Sequence, residues 1–543
     1  MSQTLRAPPR LTAGRRNRAD GSIRYTRRSP TTYGPRDASV IVYVRSAPVT
    51  GLAPILTVAR IRAVEARHGA DGLMERAGAA AAGVARELAT GRRGPIVVLA
   101  GPGNNGGDGF VVARTLAAQF FEVVVVFRGD AARLPADAAT ALAALTASGV
   151  VPVRDPPSGL PALVVDALFG IGLARAPAGE YAALIEWSAA CGAPILALDV
   201  PSGLNADTGR PFTPAIRADA TATFIASKPG LCTGAGLDHA GEVTVHSLGL
   251  AVDERDRPGF LLDWASLAAA LPSALRRTHR DVHKGTFGTL AIVGGHDGMI
   301  GAPILAGRAA LKTGAGKVRI GFAAQARPAV DWGAPELMLG GADAVLEASA
   351  DVLVVGPGLG ADARAHALVA NAVRAPVPLV LDADALNVIA ADAALRARVR
   401  GRSAPTLATP HPAEAARLLG IDTAGVSSDR LAAALEIARD LGAFTVLKGA
   451  GSVLASPDGR LDINATGGPA LASGGSGDVL SGMLGALLAQ GLAPHDALRY
   501  AVCLHGAAAD RLVAEGVGPV GLVASELPDA ARALLNAAAR PGG

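Results

Sequence analysis

Short β-branched runs alternate with Ala-rich stretches of helical spacing along the chain from about residue 56, in two successive series. The first series predicts strands at 95–99, 122–127, 162–168, 194–198, 221–225 and 242–245, preceded by helices at 56–67 and 72–88. The second predicts strands at 289–293, 318–322, 352–355, 378–381, 406–408, 445–447 and 452–455. A strand repeatedly followed by a helix can close its hydrogen bonds as a mostly parallel sheet with crossover helices. A chain of 543 residues is also too long for a single core. The expected fold class is therefore α/β, with domains at 54–260 and 272–540 and a boundary among the charges and prolines between them.

Composition removes several function classes. Half of the residues are apolar and 18% are charged, so a large core can form and wholesale disorder is excluded. The net charge of +4 is misleading, because the first 50 residues hold ten Arg against two acids and the remainder is mildly acidic. The folded part thus lacks the basic face that nucleic-acid binding needs. Residues 1–53 read as an unstructured Arg-rich extension, with a composition that also resembles an organellar transit peptide. Three widely spaced cysteines, with no CxxC pair, indicate neither a disulfide framework nor a zinc site. A cytoplasmic location fits them. No apolar run approaches the roughly 18 residues of a membrane span. A homo-oligomer is compatible with all of this.

Glycine-rich turns at strand ends carry the chemistry. Gly101-Pro-Gly-Asn-Asn-Gly-Gly-Asp-Gly109 follows a strand and opens a helix expected near 110–119. Gly101, Gly103 and Gly106 satisfy GxGxxG, and Asp130 stands where a ribose-binding acid could sit, so a Rossmann-like dinucleotide site is one reading. Asn104, Asn105 and Asp108 are more polar than such a turn requires and can serve a cation or a sugar. Asp166, Asp199 and Ser202 follow or end neighbouring strands, and the carboxyl ends of parallel strands face the ligand crevice. Each Asp alone could be a turn or cap residue; together they suggest oxygen ligands for a hard cation.

Those motifs, with Val165-Asp-Ala-Leu-Phe-Gly170 and Asp199-Val-Pro-Ser-Gly203, resemble the epimerase domain of bifunctional NAD(P)H-hydrate repair enzymes. The resemblance implies that Asn104, Asn105, Gly106, Gly107 and Asp108 hold the hydrated nucleotide together with Gly170, Ile171, Gly172, Leu173, Ala174, Arg175 and Ala176. It also implies a potassium ion (K⁺) among Asn105, Asp166 and Ser202, and Asp199 as substrate contact and acid/base. Lys228, in Ser227-Lys-Pro-Gly230, is a second candidate acid/base, weaker than Asp199, and reads first as an exposed loop lysine.

In the second series, Gly474-Gly-Ser-Gly-Asp478 precedes a long apolar helix. Its N–H groups suit a transferring phosphate, and Asp478 can accept the proton of an attacking hydroxyl. Gly356-Pro-Gly-Leu-Gly360 and Lys448-Gly-Ala-Gly-Ser452 are further turns at strand ends. This pattern resembles the ribokinase-like superfamily, implying a C-terminal α/β/α domain behind an N-terminal Rossmann-like sandwich. His283-Lys-Gly-Thr-Phe-Gly288, Met299-Ile-Gly-Ala-Pro303 and Thr409-Pro-His-Pro412 narrow the likeness to NAD(P)H-hydrate dehydratases. That implies hydrate contacts at Ala302, His411 and Asp478, with Gly358 or Gly360 beside them. It implies adenine-nucleotide contacts at Lys448, Gly449, Ala450, Gly451, Ser452 and Gly477, with ADP or ATP as phosphoryl donor and Mg²⁺ on its phosphates. Ala413 departs from the family's usual Gly.

Gly316-Lys317 imitates a phosphate-binding Walker loop but lacks its first Gly and its Ser or Thr. His279 and His283 lack the Glu and third ligand of a zinc protease. His505, within an Ala-rich stretch, is expected to be a core or capping group. The expected activity is epimerisation of NAD(P)H hydrates and dehydration of the S form. The competing expectation is a ribokinase-like small-molecule kinase with a Rossmann-like regulatory module.

Overall fold

A computed structural model describes residues 44–45, 52–69, 72–256 and 259–540. Apart from 44–45 and 52–53, the expected extension at 1–53 lies outside the described residues. Two sheets organise the rest. The strands of the first are β1 (Val44–Arg45), β3 (Ile96–Ala100), β4 (Val123–Phe127), β5 (Leu163–Ala167), β6 (Ile195–Leu198), β7 (Ala220–Phe224) and β8 (Glu242–His246). They run in the order β1-β8-β7-β6-β5-β3-β4, parallel throughout. The central strands β3, β5 and β6 are buried at every residue and read as near-continuous apolar runs such as Ile-Val-Val-Leu-Ala in β3. The chain passes from β3 outward to β4 and then returns to the other side of β3 as β5. The crevice at that reversal, outside the strand ends, is where an open α/β sheet takes a ligand.

The second sheet holds β2 (Ala53–Ile55), β9 (Gly259–Leu262), β10 (Thr289–Gly294), β11 (Lys317–Phe322), β12 (Met338–Gly341), β13 (Val352–Val355), β14 (Leu379–Leu381), β15 (Thr406–Ala408), β16 (Phe444–Leu447), β17 (Val453–Ala455) and β18 (Leu461–Asn464). Its order is β12-β11-β10-β13-β14-β15-β16-β17-β18-β9-β2. It is parallel from β12 to β16, with antiparallel pairing around β17 and at the β2 edge. A second reversal lies between β10 and β13.

The division expected at 54–260 and 272–540 does not follow the hydrogen bonding. Gly259–Leu262 pairs with β18, and Ala53–Ile55, which precedes the whole first unit, pairs with β9. The first unit is thus inserted between two neighbouring strands of the second sheet. Its Val200, Leu204, Leu231 and Cys232 share a continuous apolar core with β13 to β17 of the second. Such a core, contributed by both units, is removed from water only while they stay joined.

Candidate functional site

The Gly101 motif sits at the first reversal, but its polar half is helical. The helix expected at 110–119 instead spans Asn104–Ala117. Its glycines permit this by close approach: a Cβ on Gly106 would fall 2.0 Å from the Gly101 carbonyl oxygen. Asn104, Asn105 and Asp108 therefore project from the first turns into a cavity of about 520 Å³, the size of a small-molecule site. Gly106 and Gly107 are buried in packing behind it. Gly170, Ile171, Gly172 and Leu173 form the opposite rim, while Ala174, Arg175 and Ala176 are exposed and lie outside the cavity lining.

Asp199 follows β6 directly, in the left-handed region at φ 65°. A residue without glycine's freedom held there marks a strained turn at the site. Its Oδ1 accepts from the Lys228 ammonium at 2.5 Å and its Oδ2 from the Ile171 N–H at 3.2 Å. Lys228 is not the exposed loop lysine of the alternative reading: it is 1% exposed and also donates to Thr223 Oγ1 and the Phe224 carbonyl. Glu65 and Arg62, which sequence reasoning missed, enter from the helix Val58–His68. Burial, then the Asp199 charge, raises the Glu65 carboxyl. Asp108 is pushed well above the ordinary carboxylate range by burial first, then by Asp199 and Glu65. The cavity thus combines a cation-paired carboxylate with acids that keep their protons to higher pH.

Asp166, fully buried in β5, precedes Leu168 and Phe169 of the cavity lining. It accepts from the Ser202 N–H at 2.7 Å, the Ser202 hydroxyl at 2.6 Å and the Leu168 N–H at 3.2 Å. Burial nevertheless pushes its pKa up to about 6. Among the described residues no cationic side chain pairs with it, and Asn105 of the cavity lining leaves both Oδ1 and Nδ2 buried without a partner. Oxygen donors, a buried negative charge and an orphaned amide suit a hard monovalent cation. Asn105, Asp166 and Ser202 fit the group expected of them.

The second site lies along the carboxyl ends of β10 and β13 to β16. Asp478 stands in the first turn of the helix Ser476–Ala489. Burial, then Asp382, pushes its pKa up to about 7, while Lys448 works in the opposite direction. Lys448 follows β16 and turns its side chain into this acidic group, donating to Asp382 Oδ1 at 2.9 Å. Burial disfavours the Lys448 ammonium, but Asp382, Glu414 and Asp478 outweigh it and raise its pKa. A Cβ on Gly477 would lie 3.2 Å from Lys448 Nζ, so the phosphate-type turn and this ammonium adjoin. Asp382 was missed from the sequence. It follows β14 and also accepts from the Thr409 hydroxyl.

The remaining expected positions gather around this pair. Gly358 sits against Ala302, and Gly360 donates its N–H to Asp384 at 2.8 Å. His411 caps the helix Pro412–Leu419: its Nδ1 accepts from the Ala413 N–H and its Nε2 lies 3.1 Å from Glu414 Oε1. That assigns the proton to Nε2 and leaves the ring half-exposed, one edge towards Glu414. Gly449 and Ala450 form the exposed crest of the turn, with Gly451 and Ser452 half-buried. His505 is buried with Nε2 unpartnered, and burial lowers its pKa to about 4.

Comparison with known proteins gives two family matches, described as "YjeF-related protein N-terminus" over residues 70–230 and "NAD(P)H-hydrate dehydratase" over residues 290–530. The chain is 40% identical over 475 residues to the bifunctional NAD(P)H-hydrate repair enzyme Nnr of Escherichia coli, covering 86% of this chain and 89% of that one. It is 37% identical over 519 residues to the bifunctional NAD(P)H-hydrate repair enzyme of Leishmania major, covering 86% and 90%. Among solved structures, the ADP/ATP-dependent NAD(P)H-hydrate dehydratase of Bacillus subtilis, crystallised with ATP and Mg²⁺, aligns at 31% identity and a TM-score of 0.44, over 51% of this chain and 99% of that one.

Proposed function

The chain belongs to the bifunctional NAD(P)H-hydrate repair enzymes, and from that premise we propose that its two sites divide the labour, the first interconverting the epimers of the hydrate and the second dehydrating one of them. The single observation carrying this division is that each sheet has its own carboxylate–lysine pair beyond the carboxyl ends of its strands: Asp199 with Lys228 in the first unit, and Asp382 with Lys448, beside Asp478, in the second.

In the first cavity the hydrate's nicotinamide ring lies between the Asn104 helix start and the Gly170 rim. Asp199, paired with Lys228, accepts the proton of the C6 hydroxyl. The C6–N bond then opens to an aldehyde, and nitrogen re-adds to its other face while the proton returns to oxygen. Exchange at a hemiaminal carbon needs only such positioned proton transfer. Asn105, Asp166 and Ser202 would hold K⁺. The ion would supply positive charge that the buried carboxylate otherwise lacks and so fix the Gly170 rim through Ser202, whose hydroxyl accepts from the Phe169 N–H.

At the second site Asp478 accepts the C6 hydroxyl proton as that oxygen attacks the terminal phosphorus of ADP or ATP. Phosphate is a far better leaving group than hydroxide. Its departure from C6, with loss of a C5 proton, restores the dihydropyridine. The Gly474-Gly-Ser-Gly turn and Lys448 face the transferring phosphoryl, where preorganised donors stabilise developing charge. Among the described residues no three His, Cys, Asp or Glu side chains converge on a metal site. Mg²⁺ fits here as an ion held largely by nucleotide phosphates. The donor, ADP or ATP, is decided by assaying each separately. The compartment we propose is the cytoplasm, where thiols such as those of Cys191 and Cys503 stay reduced; no described helix is long and apolar enough to cross a membrane. The test of the division is Asp478→Asn, which should abolish dehydration and leave epimerisation intact. Equal loss of both activities would contradict two separate sites.

A further inference from the structure

The turn that follows Lys448 is not held by its own unit alone. Thr233, fully buried in the first unit, donates its hydroxyl to the Gly451 carbonyl at 2.7 Å and approaches the Ala450 carbonyl at 3.2 Å. The neighbouring Gly234 N–H donates to the Ala450 carbonyl at 3.0 Å. A Cβ on Gly451 would fall 2.0 Å from the Cys232 carbonyl oxygen, so the two backbones meet where only glycine fits. Arg430, 5% exposed, closes the arrangement. Its Nε donates to Thr233 Oγ1 at 3.0 Å, and its Nη2 reaches the Leu447 and Lys448 carbonyls at 3.2 Å each. Among the described residues no carboxylate pairs with this guanidinium. A buried unpaired cation is costly, and a rigid planar fork justifies it only where several acceptors must be held at once.

We propose that Thr233, acting through Arg430, is a positioning residue for the dehydratase half: the first unit shapes the nucleotide-binding turn of the second. This rests on reading residues 448–452 as the adenine-nucleotide turn. Free of Thr233, the turn's carbonyls and Arg430 Nε would each lose a partner, and the crest at Gly449 and Ala450 would have to be ordered by the nucleotide itself. Binding would weaken while the chemistry at Asp478 stayed the same. Fusion of the two units then has a mechanical role beyond keeping the activities together.

The test uses the full chain and follows the KM for ADP and for ATP, the kcat of dehydration, and epimerisation. Thr233→Val keeps the side chain's size and removes the hydroxyl; it should raise the nucleotide KM roughly threefold to tenfold, the worth of one or two hydrogen bonds, with kcat and epimerisation unchanged. Thr233→Ser should restore the KM, and Arg430→Lys, which keeps charge but loses the fork, should raise it. Ala450→Trp, which puts bulk on the exposed crest, tests the underlying reading. If Ala450→Trp raises KM and Thr233→Val does not, the positioning role is wrong and the nucleotide turn stands. If neither changes KM, the turn is not the nucleotide site and the proposal falls with it. Loss of kcat, or of both activities, in Thr233→Val would reduce Thr233 to a packing residue and overturn it too.

Discussion

Replacing Asp478 by Asn should stabilise the protein while it abolishes dehydration. The carboxyl pKa rises from an ordinary 3.8 to about 7, chiefly through burial and then through Asp382. That difference corresponds to about 4 kcal/mol against the charged form once the folded group is ionised. The folded pKa lies above the unfolded one, so the unfolded chain releases this proton first as pH rises. Stability is therefore lost progressively between the two values, and the deficit is complete only above about pH 7. Asn carries no such deficit. Its advantage over Asp should exceed, at about pH 8.5, its advantage at about pH 5 by roughly 2 kcal/mol, after discounting for the partial exposure of the group. The assay is urea unfolding of both proteins at the two pH values, followed by tryptophan fluorescence. An advantage independent of pH, or one that shrinks as pH rises, would refute the account of how Asp478 is tuned.

Asp199→Asn should lower epimerisation by about a hundredfold to ten-thousandfold, the range of a lost proton-transfer group, and leave dehydration of the preferred epimer untouched; chiral analysis of residual hydrate reads both. Lys228→Met leaves the buried Asp199 carboxylate without its cation. It should cost about 3 kcal/mol in denaturant unfolding and abolish epimerisation, whereas wild-type stability would show that the pair is not needed for folding. Replacing K⁺ by a bulky organic cation should slow epimerisation and lower the melting temperature of the wild type, with little further effect on Asp166→Asn. Equal responses in the two proteins would remove Asp166 from the cation site.

Much of this was legible because both sheets place chemistry at strand ends, and strands buried on both faces announce themselves as apolar runs. Asp166 and Asp199 were found by that rule, and Asp478 by the glycine-rich run that opens an apolar helix. Asp382 directly follows the strand expected at 378–381 and escaped because Leu381-Asp-Ala-Asp-Ala385 holds no glycine-rich turn to single it out. Lys228 looked like a loop lysine because Ser-Lys-Pro-Gly is turn-like in sequence, while its burial depends on Asp199, Thr223 and Phe224 converging in space. The 3-residue β2 and 4-residue β9 are too short to carry a period. Their pairing, which inserts the first unit into the second sheet, was invisible for that reason. Arg430 and Thr233 stand 197 residues apart, and no local pattern links them. His411 was expected to touch the hydrate; its helix-capping role follows from Glu414 three residues on, a capping pair the sequence does contain.

The central claim is that one chain recovers both epimers of the hydrate through two sites. It is tested most directly by supplying the full protein, with K⁺ and Mg²⁺, with a mixed-epimer NADH hydrate and either ADP or ATP, and following the near-ultraviolet absorbance of the restored dihydronicotinamide. The account predicts complete recovery with at least one donor, the wild type continuing where Asp199→Asn stops at one epimer's share. Recovery by the wild type that also stops at one epimer, or accumulation of a stable phosphorylated product with no absorbance regained, would contradict it.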